Sequence, residues 1–203
     1  MNFRFLLVLI VLGMAFPATA VSSRVKVLKH VPATTEALFA VDQTRLSKHP
    51  DYNHLVQLLE ARGWVPKLIM RRGCGLVPGR QVHTTVTFRL PKRRSGVLLM
   101  GRPNLQAARK CAKAKLGKKF KLRRVGAAQT FTVSTHYVVA KLAPGVVALG
   151  TPDAVGKAIA ATQARAKGLL GSRAFKTRLQ EAADNHAVIW SVIKVPRRIQ
   201  RRL

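Results

Sequence analysis

The sequence predicts an α+β domain whose sheet is mostly antiparallel, with helices packed on one face. Three observations lead there. Apolar and polar residues alternate with period two from Val82 to Leu90, apolar positions recur at helical spacing after residues 51 and 104, and later β-prone runs meet at the turn Ala143-Pro144-Gly145. Strands first separated by helices and then joined by hairpins fit an α+β layering rather than a parallel α/β sheet. The opening β-α-β-β-α order permits a ferredoxin-like first half.

Taken along the chain, Ala37–Val41 is a short apolar strand ending at Asp42. Tyr52, Leu55, Val56 and Leu59 then lie at i, i+3, i+4 and i+7, the buried face of a helix that Gly63 ends. Val65–Arg72 predicts a further short helix before the turns at Gly73-Cys74-Gly75 and Pro78-Gly79. Val82, Thr84, Val86, Phe88 and Leu90 form the inner face of a half-buried strand. Lys92–Gly96 makes a basic hairpin tip, and Val97–Met100 is the returning strand. Leu105, Ala108 and Ala112 give a narrow apolar helix face opposite Arg109, Lys110 and Lys113. Thr130–Ser134, Tyr137–Leu142 and Val146–Leu149 are β-prone. Thr151 then caps a helix with Pro152 at its first position and Asp153 in its first turn. Phe175, Leu179 and Ala182 mark another helix. Ala187–Ile193 is nearly all apolar, as a strand covered on both faces or at the sheet centre would be.

The first twenty residues have the three parts of a secretory signal. Arg4 supplies the positive region, Phe5–Phe16 the apolar stretch, and Ala18-Thr19-Ala20 the small residues of a cleavage site. As a helix the apolar stretch spans only about 18 Å, short of the roughly 30 Å hydrocarbon core, so cleavage is expected rather than anchoring. No Cys near the site could receive a lipid. Residues 21–203 are then one α+β domain, periplasmic or secreted, long enough for a sizeable core and undivided by any Gly/Ser or Pro-rich linker.

Charge is the strongest functional signal. Thirty-seven Lys and Arg face seven acids, a formal net charge of +30, and removing the signal takes away Arg4 and no acid. A compact body with this excess repels itself and is best tolerated beside polyanions. The basic clusters are Lys92, Arg93 and Arg94; Lys118, Lys119, Lys121, Arg123 and Arg124; and Arg197, Arg198, Arg201 and Arg202. One such run is ordinarily a solvated face, but three with almost no intervening acid point to an anion-binding surface. Only Phe120 is an aromatic interleaved with these charges, so base stacking has little support.

Catalytic devices are scarce. Gly150–Lys157 looks like a phosphate-binding loop but has five residues between its glycines, where the motif wants four, and Ala158 follows the lysine where a magnesium-binding hydroxyl is needed. His49-Pro50-Asp51-Tyr52-Asn53-His54 gathers metal-ligand types, yet its histidines are five apart, about 140° around a helix, and Pro50-Asp51 suits a helix start. His83 and His136 have no neighbouring carboxylate in sequence. The seven acids, Glu36, Asp42, Asp51, Glu60, Asp153, Glu181 and Asp184, show no acid–base spacing. The two cysteines, Cys74 and Cys111, in a chain bound for an oxidising compartment, predict one disulfide, worth roughly 2 to 4 kcal/mol, rather than a nucleophile.

Val31-Pro32 with Thr35, Val41-Asp42, Leu46, Pro50, Cys74-Gly75 with Pro78, Gly96-Val97 with Gly101, Cys111-Ala112, Leu149–Val155, and Trp190 with Val195-Pro196 together resemble a group of exported bacterial envelope proteins of myxobacterial type that have no assigned activity. The likeness spans most of residues 21–203. It implies an α+β envelope protein with a Cys74–Cys111 bridge. The chain departs from the pattern in its extreme basicity, so no ligand is carried over.

Two functional expectations result. The first is a non-enzymatic exported protein that associates with anionic envelope surfaces or polyanions: lipopolysaccharide, anionic lipid, or nucleic acid without sequence specificity, and without a cofactor. The alternative is a small secreted hydrolase whose site is assembled from distant segments.

Overall fold

A computed structural model of the chain describes residues 27–54, 57, 74–92, 94–125, 128–163, 168–169 and 188–193. In chain order the elements are β1 (Ala37–Asp42), α1 (Gln43–Leu46), β2 (Val82–Leu90), β3 (Arg94–Gly101), α2 (Leu105–Leu116), β4 (Leu122–Val125), β5 (Ala128–Thr132), β6 (Val138–Ala143), β7 (Val146–Gly150), α3 (Pro152–Thr162) and β8 (Ile189–Ile193). The strands form one sheet of order β4-β5-β6-β7-β3-β2-β1-β8, and every neighbouring pair is antiparallel. The α+β class with an antiparallel sheet is the architecture of the protein.

Local sequence explains the elements that were legible. β2 buries Val82, Thr84, Val86, Phe88 and Leu90, the alternate residues that its period-two pattern selects. Asn104 caps α2 by accepting a hydrogen bond from the Ala107 N–H at 3.0 Å, and Ala108 and Ala112 are its buried residues. Thr151 caps α3 through its hydroxyl oxygen, with Pro152 opening the first turn and Asp153 within it. Asp42 closes β1 and caps α1, accepting from the Arg45 N–H at 3.1 Å, so helix begins earlier than the expected start at Pro50-Asp51. Residues 52–54 are also helical. The signal segment 1–20, the rest of the helix face at Leu55, Val56 and Leu59, its stop at Gly63, the helix at Val65–Arg72 and the helix at Phe175–Ala182 lie outside the described residues.

Four finer expectations are corrected. A ferredoxin-like first half would separate β1 from β2 by an intervening strand, whereas the two are adjacent and antiparallel, with Leu38 opposite Phe88. Helices cover both faces of the sheet, not one. Ala154, Val155, Ala158 and Ile159 of α3 join the core of Leu38, Val86, Phe88, Leu98 and Ala148, while Ala108 and Ala112 of α2 pack with Leu99, Phe131, Val139, Val147 and Leu149. The cause lies in β7, whose five residues are all buried and which therefore needs an apolar cover on each side. β8 is an edge strand, not a central one, and pairs only with β1 among the described strands. Its Trp190 and Val192 are buried while Ser191 is exposed, so its apolar run has one inner face. Finally, β3 begins at Arg94 rather than Val97, because Gly96 is a strand residue and not part of the tip.

Gly96 earns its place by close approach. It lies opposite Phe88 on one side and Gly150 on the other. A Cβ on Gly96 would sit 2.4 Å from Phe88 Cζ, and one on Gly150 would sit 2.7 Å from Gly96 Cα. The Phe88 ring occupies the space that the missing side chain leaves, over the seam where β3 meets β7.

The predicted disulfide is present. Cys74 and Cys111 are joined with their Cα atoms 5.7 Å apart, tying the segment before β2 to the middle of α2 across 37 residues of chain. In a chain-entropy account a loop of this length stabilises the fold by roughly 4 kcal/mol. Gly75 adjoins it at φ +83°, and its carbonyl accepts the Asn104 N–H at 2.8 Å, so the same segment is also pinned to the start of α2.

The seam predicts opposite outcomes for two glycines. Gly150→Ala should destabilise by about 1–3 kcal/mol through overpacking. Gly156→Ala, where the new Cβ meets only Val125 Cγ1 at 3.9 Å inside α3, should stabilise by about 0.5–1 kcal/mol. Urea unfolding of both variants checks the pair; a neutral Gly150→Ala would show that the seam can spread.

Candidate polyanion interface

The central basic cluster follows directly from the end of α2. Lys113 and Lys115 occupy the last turn, where the helix dipole favours cations, and Gly117 ends the helix at φ +51°. A single 3-10 turn carries Lys118 and Lys119. Phe120 then anchors the chain, its ring 6.3 Å from that of Phe131, which is buried in the core beneath α2. Lys121 donates its N–H to Thr132 Oγ1 at 2.8 Å and accepts the Thr132 N–H at 3.1 Å, which sets β4 beside β5. Beyond it β4 is exposed at every residue, including Arg123 and Arg124. Phe120 is thus committed to packing, in keeping with the weak case for base stacking.

Strand register decides where the clusters stand relative to one another. Leu122 opposite Phe131, Thr132 opposite Val138, Val138 opposite Gly150, Gly150 opposite Gly96, and Leu90 opposite Arg94 place the start of β4 and the tip between β2 and β3 at the same end of the sheet. Exposed Lys92, at φ +61° in that tip, therefore shares an end with exposed Lys118, Lys119 and Lys121. Five strand spacings separate the two groups, roughly 25 Å. Ile193 opposite Ala37 brings the last residue of β8 to this end too. The sequence runs on from there to Arg197, Arg198, Arg201 and Arg202, which, like Arg93, lie outside the described residues.

Arg94 has a different role from its neighbours in sequence. Its guanidinium donates to Asp153 Oδ2 at 2.6 Å and to the Pro91 carbonyl at 3.3 Å, and it is half-buried. Lys157 stands 3.8 Å from the same carboxylate oxygen. Arg94 thus ties the start of β3 to the first turn of α3. The other described ion pairs join Asp42 to Arg45 and Asp51 to His49. Among the described residues, no carboxylate lies within ion-pair distance of Lys92, Lys118, Lys119, Lys121, Arg123 or Arg124.

Among the described residues, the titratable group most altered by the fold is one that the sequence does not single out. His30 is 2% exposed, and burial, with Lys29 adding repulsion, lowers its pKa from 6.5 to about 4. Thr162 gives its own hydroxyl proton to the Ala158 carbonyl at 2.8 Å, so His30 Nδ1, 2.8 Å from Thr162 Oγ1, is the donor of that pair, while burial and Lys29 favour the neutral ring. An isolated histidine before the first strand carries no periodic signal by which to find it. His49, His54, His83 and His136 are exposed, and the described residues contain no group of three or more metal-ligand side chains. A groove of about 590 Å³ opens at the opposite end of the sheet, lined by Gly101, Arg102, Asn104, Lys141 and Gly145 among others, with no His, carboxylate, Cys or Ser in its wall.

No family model and no curated protein matches the sequence. Among solved structures, crystal form I of TP0453 is similar at 8% identity with a TM-score of 0.44, covering 70% of this chain and 58% of that one. Crystal forms III and IV of TP0453 have TM-scores of 0.35 at 7% and 8% identity, and the chain spans about half the length of these structures. Likenesses at this level carry no functional argument.

His30 gives a pH prediction. Its folded pKa lies below its unfolded value, so its contribution is fully present above pH 6.5 and is lost as pH falls toward about 4, when the unfolded chain takes up a proton that the folded one refuses. The loss is on the order of 3 kcal/mol. His30→Asn, which keeps a donor toward Thr162, should flatten stability between these pH values in thermal unfolding; parallel profiles for the two proteins would refute the assignment.

Proposed function

We propose that this is an exported, non-enzymatic basic protein that associates with polyanions through one end of its sheet. The observation that carries the reading is the register-driven gathering of exposed Lys92, Lys118, Lys119 and Lys121 at that end, with Arg123 and Arg124 on the adjoining edge and no described carboxylate to neutralise them. Lysines and arginines without protein partners hold a counterion atmosphere only weakly, whereas a polyanion that docks on them releases its own condensed ions. Lipopolysaccharide, anionic lipid and nucleic acid all offer the closely spaced phosphates this needs. The Cys74–Cys111 disulfide and the signal-like first twenty residues support an oxidising, exported location, and no described helix is long and apolar enough to cross a membrane.

Binding should be salt-steep and indifferent to sequence. If six to ten phosphates are engaged, affinity for heparin, DNA or anionic vesicles should fall by roughly 10³ to 10⁵ between 50 and 200 mM salt. Replacing Lys92, Lys118, Lys119 and Lys121 one at a time by Gln should each reduce the salt slope by roughly 0.9. Arg80→Gln and Arg102→Gln, exposed residues at the far end, should leave the slope unchanged. Equal losses at both ends would mean that total charge acts without an interface, and no binding at low salt would remove the proposal.

A further inference from the structure

Among the described strands β4 is an edge of the sheet. The phase of its backbone is fixed, because the Thr132 N–H donates to the Lys121 carbonyl at 3.1 Å. In an antiparallel ladder alternate residues turn both polar backbone groups toward the partner, so Lys121, Arg123 and Val125 face β5. Leu122 and Arg124 therefore present N–H and C=O outward, where no described strand receives them. Beside these groups Leu122 is 42% exposed and Val125 37%, two of the few large apolar side chains in water among the described residues. The edge thus offers two backbone donors, two acceptors and the side-chain series apolar, cation, cation, apolar.

We propose that this edge takes up an acidic extended peptide by strand addition, with the partner series apolar, acid, acid, apolar. The series of β4 reads the same in both directions, so parallel and antiparallel partners satisfy it alike. Charge complementarity selects the occupant. Cross-strand pairs of opposite charge are favourable and like charges directly opposite are unfavourable. A second copy of the chain pairing antiparallel through β4 must set outward-facing residues opposite each other, so Arg123 meets Arg123 or Arg124 meets Arg124 according to register, and the cations that admit an acidic peptide repel a twin. This goes beyond the proposed association with polyanions, which needs side-chain charge alone; strand addition also needs the backbone of both partners.

The probe is the blocked peptide Thr-Val-Glu-Glu-Val-Thr, titrated at about 150 mM salt, where diffuse electrostatics is screened beyond roughly 8 Å. Binding should slow amide exchange at Leu122 and Arg124 more than at Arg123. The same peptide N-methylated on alternate backbone nitrogens keeps its charge and should lose about tenfold or more in affinity. Leu122→Pro removes an outward donor without touching β5 pairing or charge, and should abolish peptide binding while heparin affinity stays at the wild-type level. The N-methylated arm on the wild-type protein holds the test open if that variant folds poorly. Equal affinity for the N-methylated peptide or for polyglutamate, or a dimer in sedimentation with no peptide binding, overturns the inference. Peptide binding without heparin binding would sustain it while removing the polyanion reading.

Discussion

The architecture hangs on one place where two strands approach without side chains between them. β8-β1-β2-β3 and β7-β6-β5-β4 are each antiparallel runs, and the β3–β7 ladder joins them into one sheet. At the end of that ladder Gly96 faces Gly150, and Phe88 lies over the gap. Glycine in a strand weakens it by leaving backbone entropy uncompensated, so its presence on both sides of the junction needs a packing reason. The ring supplies it, since a fully buried phenylalanine contributes more than the glycines cost. Seating β7 at the sheet's middle also buries it on both faces, which requires α3 on one side and α2 on the other. The disulfide then holds α2 against the segment leading to β2, so the second cover is tied covalently to the first half of the sheet.

That arrangement divides the chain's charge into two uses. Asp153 sits in the first turn of α3 with Arg94 and Lys157 around it, so one carboxylate serves the helix dipole, the β3 start and an i, i+4 pair. Pairs this exposed contribute at most about 1 kcal/mol, so their value lies in positioning the tip rather than in stability. The cations of residues 118–124 have no carboxylate partner among the described residues, and they stand on the turn before β4 and on β4 itself, a four-residue strand exposed at every residue. Core and charge are thereby separable: substitutions on β4 should disturb binding without reaching Phe88, Leu98 or Ala148.

Legibility followed the physics of each signal. β2 was readable residue by residue because a half-buried strand writes period two into its sequence, and the start of α3 was readable because Thr151, Pro152 and Asp153 each satisfy a distinct demand of a helix N-terminus. β4 was not, since a fully exposed strand carries no buried face and Leu122-Arg123-Arg124-Val125 reads as charge. Gly96 reads as a turn residue in the sequence because the residue that accounts for it, Phe88, is on another strand. The apolar run of β8 reads as a strand covered on both faces or at the sheet centre, because such a run is ambiguous between two buried faces and one inner face interrupted by Ser191. The basic residues themselves were identified from sequence, but the end that Lys92 and Lys118–Lys121 share follows only from the pairing of six strands.

Spacing within that end argues for the kind of anion it suits. Lys92 and the group at Lys118–Lys121 stand roughly 25 Å apart by strand count, while the Debye length in physiological salt is about 8 Å. A phosphate or a small dianion at one group is screened from the other, so the two cannot cooperate on a compact ligand. A chain or surface longer than the gap meets both at once, and each contact then raises the local concentration of the next. The far groove, with Arg102 and Lys141, lies at the other end of the strands and cannot join the same straight contact. On the proposed reading, total charge would bring a polyanion toward the protein from any direction, and the spacing of the cations would let only an extended one gain from the end where they gather.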